Sequence, residues 1–423
     1  MIDLDFDDHN TLYATHGLHA FAAKCPPPLV GYALKEYTQP GELVVDPMVG
    51  SGTTLVEARL LGRNALGYDI DPLAQLIARV KSRVVDDSKV GVAFERVCAH
   101  VEQDLGALTQ IDPPSVVMER ATPPAFPNRD YWFEPEVSKA LALLSFHIAH
   151  VLCTQDVREF LWVAFSSLIL ARTSVANARD IIHSRHHHIT HAETPDVMSR
   201  FHLRVKQMRR QMLEFKAQCE RAPLQSWTRA NAGSARSIPL RSASVDLVFT
   251  SPPYATALDY PRAHFLAIPW MYAATKTDFT AYRQKAPQYI GSQNGKLAEE
   301  FALDARLVKL ESAASSLTEV AVQSARQAKL CQRYFLDMYG VLGEIARIVK
   351  AGKHAVIVVC PSNIRKVAVP THTVFAEMGE RLGLQLKEEL TRSISTKRRV
   401  LPYMVDTFGP RMDTEYVLIL RKV

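Results

Sequence analysis

GELVVDPMVGSGTTLVEARLLGRNALGYDIDP, residues 41–72, decides the fold. Leu43-Val44-Val45 is a short continuous apolar run, the pattern of a strand buried on both faces of a parallel sheet. A glycine-containing loop follows, Pro47 to Gly52. Thr53 to Leu61 then has helical spacing through Leu55, Ala58 and Leu61, and stops at Gly62, a natural residue just past a helix end. A second apolar run, Ala65 to Tyr68, stops at Asp69. Strand, glycine loop, helix, strand and acid, in about thirty residues, make the signature of a nucleotide-binding βαβ unit. Gly50 and Gly52 let the backbone approach a ligand, and the helix N-terminus points its N–H groups into the same space. The loop lacks the G-x-x-x-x-G-K-[ST] spacing of a phosphate-binding P-loop. A carboxylate placed as Asp69 is can accept from both hydroxyls of a ribose. The alternative is a plain acid before the Asp71-Pro72 turn. Asp46, closing the first strand, can orient the loop or reach a cationic ligand.

Outward from this unit the pattern changes. Leu105 to Pro127 is interrupted by prolines and reads as loop, whereas Glu136 to Arg172 is apolar at helical spacing through Leu141, Leu144, Ile148, Leu152, Leu161, Phe165 and Leu168. SRFHLRVKQMRRQMLEFK, residues 199–216, is a basic helix candidate with six Lys/Arg against one Glu. Strand patterns return at Ser226–Ala230, Val245–Thr250, residues 354–360, 384–390 and 414–422, around a largely helical stretch at 262–350. The expected organisation is α/β. Residues 1–84 and 229–423 form one catalytic unit, split by a mainly helical insertion at 85–228.

Whole-chain composition is permissive rather than decisive. The 423 residues carry a net charge of +6 and a pI near 8.9, which allows a polyanionic partner. Six scattered cysteines without a C-x-x-C pair argue against a disulfide framework or zinc ribbon and fit a reducing, cytoplasmic setting. The acidic N-terminus lacks a signal-peptide core, and no run of apolar residues is long enough for a membrane span.

The second decisive stretch is TSPPY, Thr250 to Tyr254, at the end of the apolar run 245–249. Two prolines fix the backbone and cannot donate hydrogen bonds, so carbonyl oxygens stay presented. Ser251 adds a hydroxyl, and Tyr254 can stack on a ring. Such acceptors suit an exocyclic –NH₂ group. An amino nitrogen conjugated to a ring is a poor nucleophile. Hydrogen bonds from its N–H groups favour a more tetrahedral nitrogen that can attack a methyl sulfonium in line. The bland alternative is turn punctuation.

DPMVGSGTT, GYDIDP and TSPPY together resemble the S-adenosylmethionine-dependent amino-group DNA methyltransferases, the N4-cytosine and N6-adenine enzymes. HGLHAFAAKCPPPLV, residues 16–30, is similar to the segment preceding the first strand in that family, with Phe21 and Lys24 at its characteristic positions. Residues 231–254 and ALDYPRAHFL, 257–266, continue the likeness. The resemblance implies a Rossmann-like seven-stranded sheet with its last strand antiparallel. Its cofactor set comprises Phe21, Lys24, Asp46, Met48, Gly50, Gly52, Thr53, Thr54, Asp69, Ile70, Ser234 and Thr250, with Asp69 on the ribose and Ile70 against adenine. Ser251, Pro252, Pro253 and Tyr254 would form the catalytic pocket. Met48 stands where the family usually has Phe, and Ser234 where an Asp often binds the adenine amine. A Ser before PPY favours cytosine N4, with adenine N6 or an RNA amine as the alternatives.

The same resemblance implies double-stranded DNA as partner, a flipped base and phosphate contacts. The candidates are Arg200, Arg204, Lys206, Arg209 and Arg210, then Lys397, Arg398 and Arg399; the alternative is a solvated basic face. Any cognate restriction nuclease would be a separate chain, since no nuclease motif is evident, and a homodimer is open. HSRHHHITH, 183–191, places His187 and His191 at i, i+4 but lacks H-E-x-x-H, so it reads as a polar loop or DNA contact rather than a metal site. Methyl transfer from a sulfonium needs no metal. A cysteine nucleophile is not expected, because Ser251-Pro252-Pro253 occupies the place where ring-carbon chemistry needs Cys-Pro.

Overall fold

The structure is a computed structural model that describes residues 4–6, 9–21, 24–169, 173–174, 194–255, 260–394 and 413–423. The opening unit folds as its pattern dictates. β1 (Leu43–Asp46) leads through the glycine loop into α2 (Thr53–Leu60), which returns to β2 (Asn64–Asp69) and then α3 (Pro72–Ser82). A preceding helix, α1 (Pro27–Tyr37), packs beside α2. Pro72 starts α3 at a position where no N–H is needed, and Asp71 caps it by accepting from the Leu73 and Ala74 amides at 2.9 Å.

The remaining strands are β3 (Thr228–Ala232), β4 (Val245–Thr250), β5 (Val349–Val359), β6 (Ser362–Ile364), β7 (Val367–Val369), β8 (Leu384–Ser393) and β9 (Thr414–Lys422). Among the described residues, seven strands form one sheet in the order β3-β2-β1-β4-β5-β9-β8, and β6 pairs with β7 alone. β9 runs antiparallel to both neighbours, while β3, β2, β1, β4 and β5 are parallel. The expected sheet, including its antiparallel last strand, is the one found. The strand order reverses between β1 and β4, the switch point where an open α/β sheet leaves a crevice at its carboxyl edge. β4 is buried along its whole length, its one acid, Asp246, being paired with Lys350 at 2.6 Å.

Between α3 and β3 come α4 (Asp87–Leu108), α5 (Ser115–Arg120), α6 (Arg129–Trp132), α7 (Pro135–His150), α8 (Gln155–Ile169) and α9 (Val197–Glu220). α4, α7, α8 and α9 share one apolar core with Leu73, Ile77 and Val80 of α3, so these helices are built onto the sheet's flank. One expectation needs correction and another needs dividing. Leu105 to Pro127 is not all loop, because α4 continues to Leu108 and α5 follows. The helical spacing expected over 136–172 is met by two helices, α7 and α8, with a break between them. Val151 turns extended, and Leu152 in the connection is 84% exposed. Among the described residues, no helix is long and apolar enough to cross a membrane. All six cysteines are free.

Candidate active site

The ends of β1, β2 and β4 open on one cleft of about 1130 Å³, part of it exposed to solvent. Phe21, Lys24, Asp46, Met48, Gly50, Thr53, Thr54, Asp69, Ile70, Ser234, Ser251 and Pro253 all line it. The sequence places these residues as far as 232 positions apart, and parallel pairing of β2, β1 and β4 brings their loops together.

The loop geometry is specific. Gly50 has φ +46°, and a Cβ there would lie 3.2 Å from the Phe21 ring. Its N–H donates to Asp69 Oδ2 at 2.9 Å, while the Asp71 N–H donates to Asp69 Oδ1 at 2.9 Å. Asp69 thus ties the loop after β1 to the end of β2. Burial pushes the Asp69 carboxyl up to about 7, helped by the nearby Asp71 charge. Asp46 accepts from the Thr54 hydroxyl at 2.6 Å and the Met48 amide at 3.1 Å, and burial raises it to about 6. Lys24 Nζ donates to the His16 carbonyl at 3.0 Å, which holds the cation at the cleft wall.

Four expected site residues do not face the cleft. Gly52 lines α2 against α3: at φ +83° its missing Cβ would come 2.8 Å from Ala78 Cα, so glycine is needed there for helix packing. Thr250 is fully buried, and Pro252 is buried behind Ser251 and Pro253. Tyr254 turns its hydroxyl away to β9, where it donates to Glu415 Oε1 at 2.6 Å. Glu415 Oε2 pairs with Arg392 Nε of β8 at 2.7 Å, and the two residues face each other across the strands. Burial, with the Glu415 charge, holds the Tyr254 phenol far above its ordinary range.

Another group was missed by sequence reasoning. His264 lines the cleft beside Phe21, with ring centroids 5.4 Å apart, and contacts Asp71 Oδ1 through Nδ1 at 3.0 Å. Tyr282 and Tyr289 donate to Asp71 Oδ2 at 2.7 and 3.1 Å. Burial opposes the Asp71 charge, but His264, the Ala74 amide and the Tyr282 hydroxyl hold its carboxyl down at about 2. The same carboxylate raises the His264 imidazole against its own burial. His264 sits in the stretch after TSPPY, so position was a signal; its acid partner, 193 residues away, was not.

The basic helix α9 is only partly what its charges suggested. Arg209 donates to both oxygens of Asp87 at 2.7 Å, and Arg204 donates to Ser167 Oγ and to the backbone carbonyls of Gly17 and Leu18. These two arginines fasten α9 to α4 and to the segment that carries Phe21. Lys206 is exposed, Arg200 is half-buried, and exposed Arg210 lies 3.8 Å from Glu214. Lys397, Arg398, Arg399 and the histidines at 183, 186, 187, 188 and 191 lie outside the described residues. Among the described residues, no group of three or more His, Cys, Asp or Glu side chains could hold a metal ion.

This sheet order with a cleft at the β1–β4 switch defines a Rossmann-like methyltransferase fold. The N6/N4 methyltransferase family of DNA methylases matches residues 6–79. The type II methyltransferase M.MvaI of Kocuria varians is 24% identical over 406 residues, covering 93% of this chain and 87% of that protein. M.MjaII of Methanocaldococcus jannaschii is 41% identical over 91 residues, 21% of this chain and 17% of that one. M.MthZI of Methanothermobacter thermautotrophicus is 31% identical over 83 residues, 19% and 23% respectively. The chain thus resembles the amino-group DNA methyltransferases, and S-adenosylmethionine is the cofactor that this resemblance implies. The cleft fits that cofactor chemically. It offers a cation for a carboxylate, two acids for a sulfonium and a ribose, and apolar surface for a purine.

Proposed function

We propose that this protein methylates the exocyclic N4 amine of a flipped cytosine in double-stranded DNA, by direct in-line transfer. The observation that carries the reading is the shared cleft: Ser251 and Pro253, at the end of β4, open into the space bounded by Gly50, Asp69 and Lys24. S-adenosylmethionine supplies an electrophilic methyl group on a sulfonium. Lys24 holds the cofactor's carboxylate, Asp69 its ribose and Ile70 its adenine face, while Phe21 closes over the Gly50 loop. Asp46, fixed by Thr54 and Met48, supports the loop. Ser251 and the proline-fixed carbonyls accept from the amine N–H groups, keeping the nitrogen lone pair aimed at the cofactor side. Tyr254, held by Glu415, sets the shape of this corner from behind the Pro253 wall.

Ser before PPY supports cytosine rather than adenine. The likeness to type II methyltransferases supports a role beside a restriction nuclease on another chain. Purified protein, labelled S-adenosylmethionine and mixed-sequence DNA test the reading by nucleoside analysis of the digested product. N4-methylcytosine is expected. N6-methyladenine would overturn the base assignment, and transfer to structured RNA alone would overturn the DNA substrate.

A further inference from the structure

The β6–β7 hairpin, Ser362–Val369, has a feature its stability does not require. Its register pairs Ile364 with Val367, leaving a two-residue loop, Arg365-Lys366. Both loop residues have positive φ, +53° and +69°. A two-residue turn of that kind favours Asn-Gly or Gly-Gly, because side chains with Cβ resist the left-handed region. Two long cations there are a poor conformational choice at both positions. The hairpin is held regardless. Ile364, Val367 and Val369 are buried in the core formed with the helices Ala325–Ile348 and Thr371–Arg381, while Arg365 and Lys366 are exposed. Neither forms an ion pair with a carboxylate among the described residues.

Strain kept at an exposed, charged tip points to use of the charge. Its position says on what. β5 is the parallel neighbour of β4, with Thr250 opposite Ile357, and only Cys360 and Pro361 separate β5 from β6. The hairpin therefore leaves the same sheet edge as TSPPY, and the Cys360 thiol neighbours the Tyr254 hydroxyl. Whatever presents an amine to Ser251 must lie across this edge. A duplex lying there brings a phosphate backbone to the tip.

We propose that Arg365 and Lys366 form a phosphate-binding finger that grips the DNA duplex beside the base delivered to Ser251. The inference rests on the DNA-methylation reading above. The test replaces the tip with the sequence its geometry prefers, Arg365→Asn with Lys366→Gly, in the full chain. This variant should fold and bind S-adenosylmethionine as wild type does, and resist denaturant at least as well. Its affinity for a labelled mixed-sequence duplex should fall. Its salt dependence should flatten by about two phosphate contacts, so that wild type loses about tenfold more affinity than the variant between roughly 50 and 200 mM salt. Arg365→Gln with Lys366→Gln should give the same loss without changing the turn preference, which separates charge from hairpin geometry. Wild-type affinity and salt slope in both variants overturn the finger while leaving the methylation reading intact. Failure of wild type itself to bind the duplex overturns that reading and the finger with it.

Discussion

Tyr254→Phe removes one hydroxyl and keeps the ring. The lost O–H donates to Glu415 at 2.6 Å, and Glu415 is paired to Arg392 at 2.7 Å. Both charged side chains are largely buried, with 4% and 13% exposure for Arg392 and Glu415, so the hydrogen bond is charge-assisted in a nearly dry setting. Its removal should lower the unfolding free energy by about 1.5–3 kcal/mol. The ion pair survives, so the variant should fold. Glu415→Gln is harsher: it leaves the Arg392 cation buried without an anion, a change that costs about 3–5 kcal/mol. The functional effect follows from position. Tyr254 adjoins Pro253, which lines the cleft, so freeing its ring loosens the corner that must hold an amine in line. Misplacement by an ångström can cost about 10²-fold, and kcat in single-turnover transfer to DNA should fall by about 10- to 100-fold. Cofactor affinity, measured by calorimetric titration, should stay at the wild-type value, because Lys24, Gly50 and Asp69 are untouched. A Tyr254→Phe protein that loses stability yet turns over at the wild-type rate would refute the positioning argument. Equal loss of cofactor affinity and turnover would refute the division between the β4 corner and the β1–β2 loops.

Asp69→Ala strips the acceptor from the Gly50 and Asp71 amides; S-adenosylmethionine binding should weaken by roughly 1–3 kcal/mol in calorimetry, ahead of any effect on DNA affinity. Arg204→Ala releases the carbonyls of Gly17 and Leu18, so it should loosen the segment bearing Phe21 and weaken cofactor binding while leaving the DNA salt slope unchanged. Lys206→Ala, on the exposed side of α9, should do the opposite and lower that slope by roughly 0.9 if it meets one phosphate. Burial raises Asp69 to about 7, Asp46 to about 6 and Glu57 to about 7, all above their unfolded values. Their stabilising contribution is therefore complete below pH about 4 and lost as pH rises to about 7, by at most about 1.4 kcal/mol per unit for each group. Denaturant titrations of Asp69→Asn across this window should show a shallower decline than wild type.

What could be read in the chain depended on whether the partners in a contact are neighbours in sequence. The strand–loop–helix unit was legible because its cleft-lining residues follow their own strands directly. Asp46 ends β1, Asp69 ends β2 and Ser251 follows β4, so an apolar run announces each polar residue. β4 matched its expected bounds for the same reason: all six of its residues are buried, and the apolar run stops where the sheet edge begins. Periodicity misled at Leu152, since the apolar rhythm continued through a break that Val151 makes by turning extended.

Charge on α9 was legible, but the internal partners of two of its arginines were not. The partners of Arg209 and Arg204 lie 122 and 186 residues away, beyond the reach of local pattern. The same distance hid Glu415, which meets Tyr254 only because β9 inserts between β5 and β8. That insertion changes how TSPPY works. The donor-poor prolines present acceptors, but they do not hold the tyrosine. A carboxylate from the last strand does, and it is itself held by an arginine from the strand beside it. The corner proposed to accept the amine is thus built by β4 and oriented from β8 and β9. Substitutions in the C-terminal strands should then alter methyl transfer without touching the cofactor cleft.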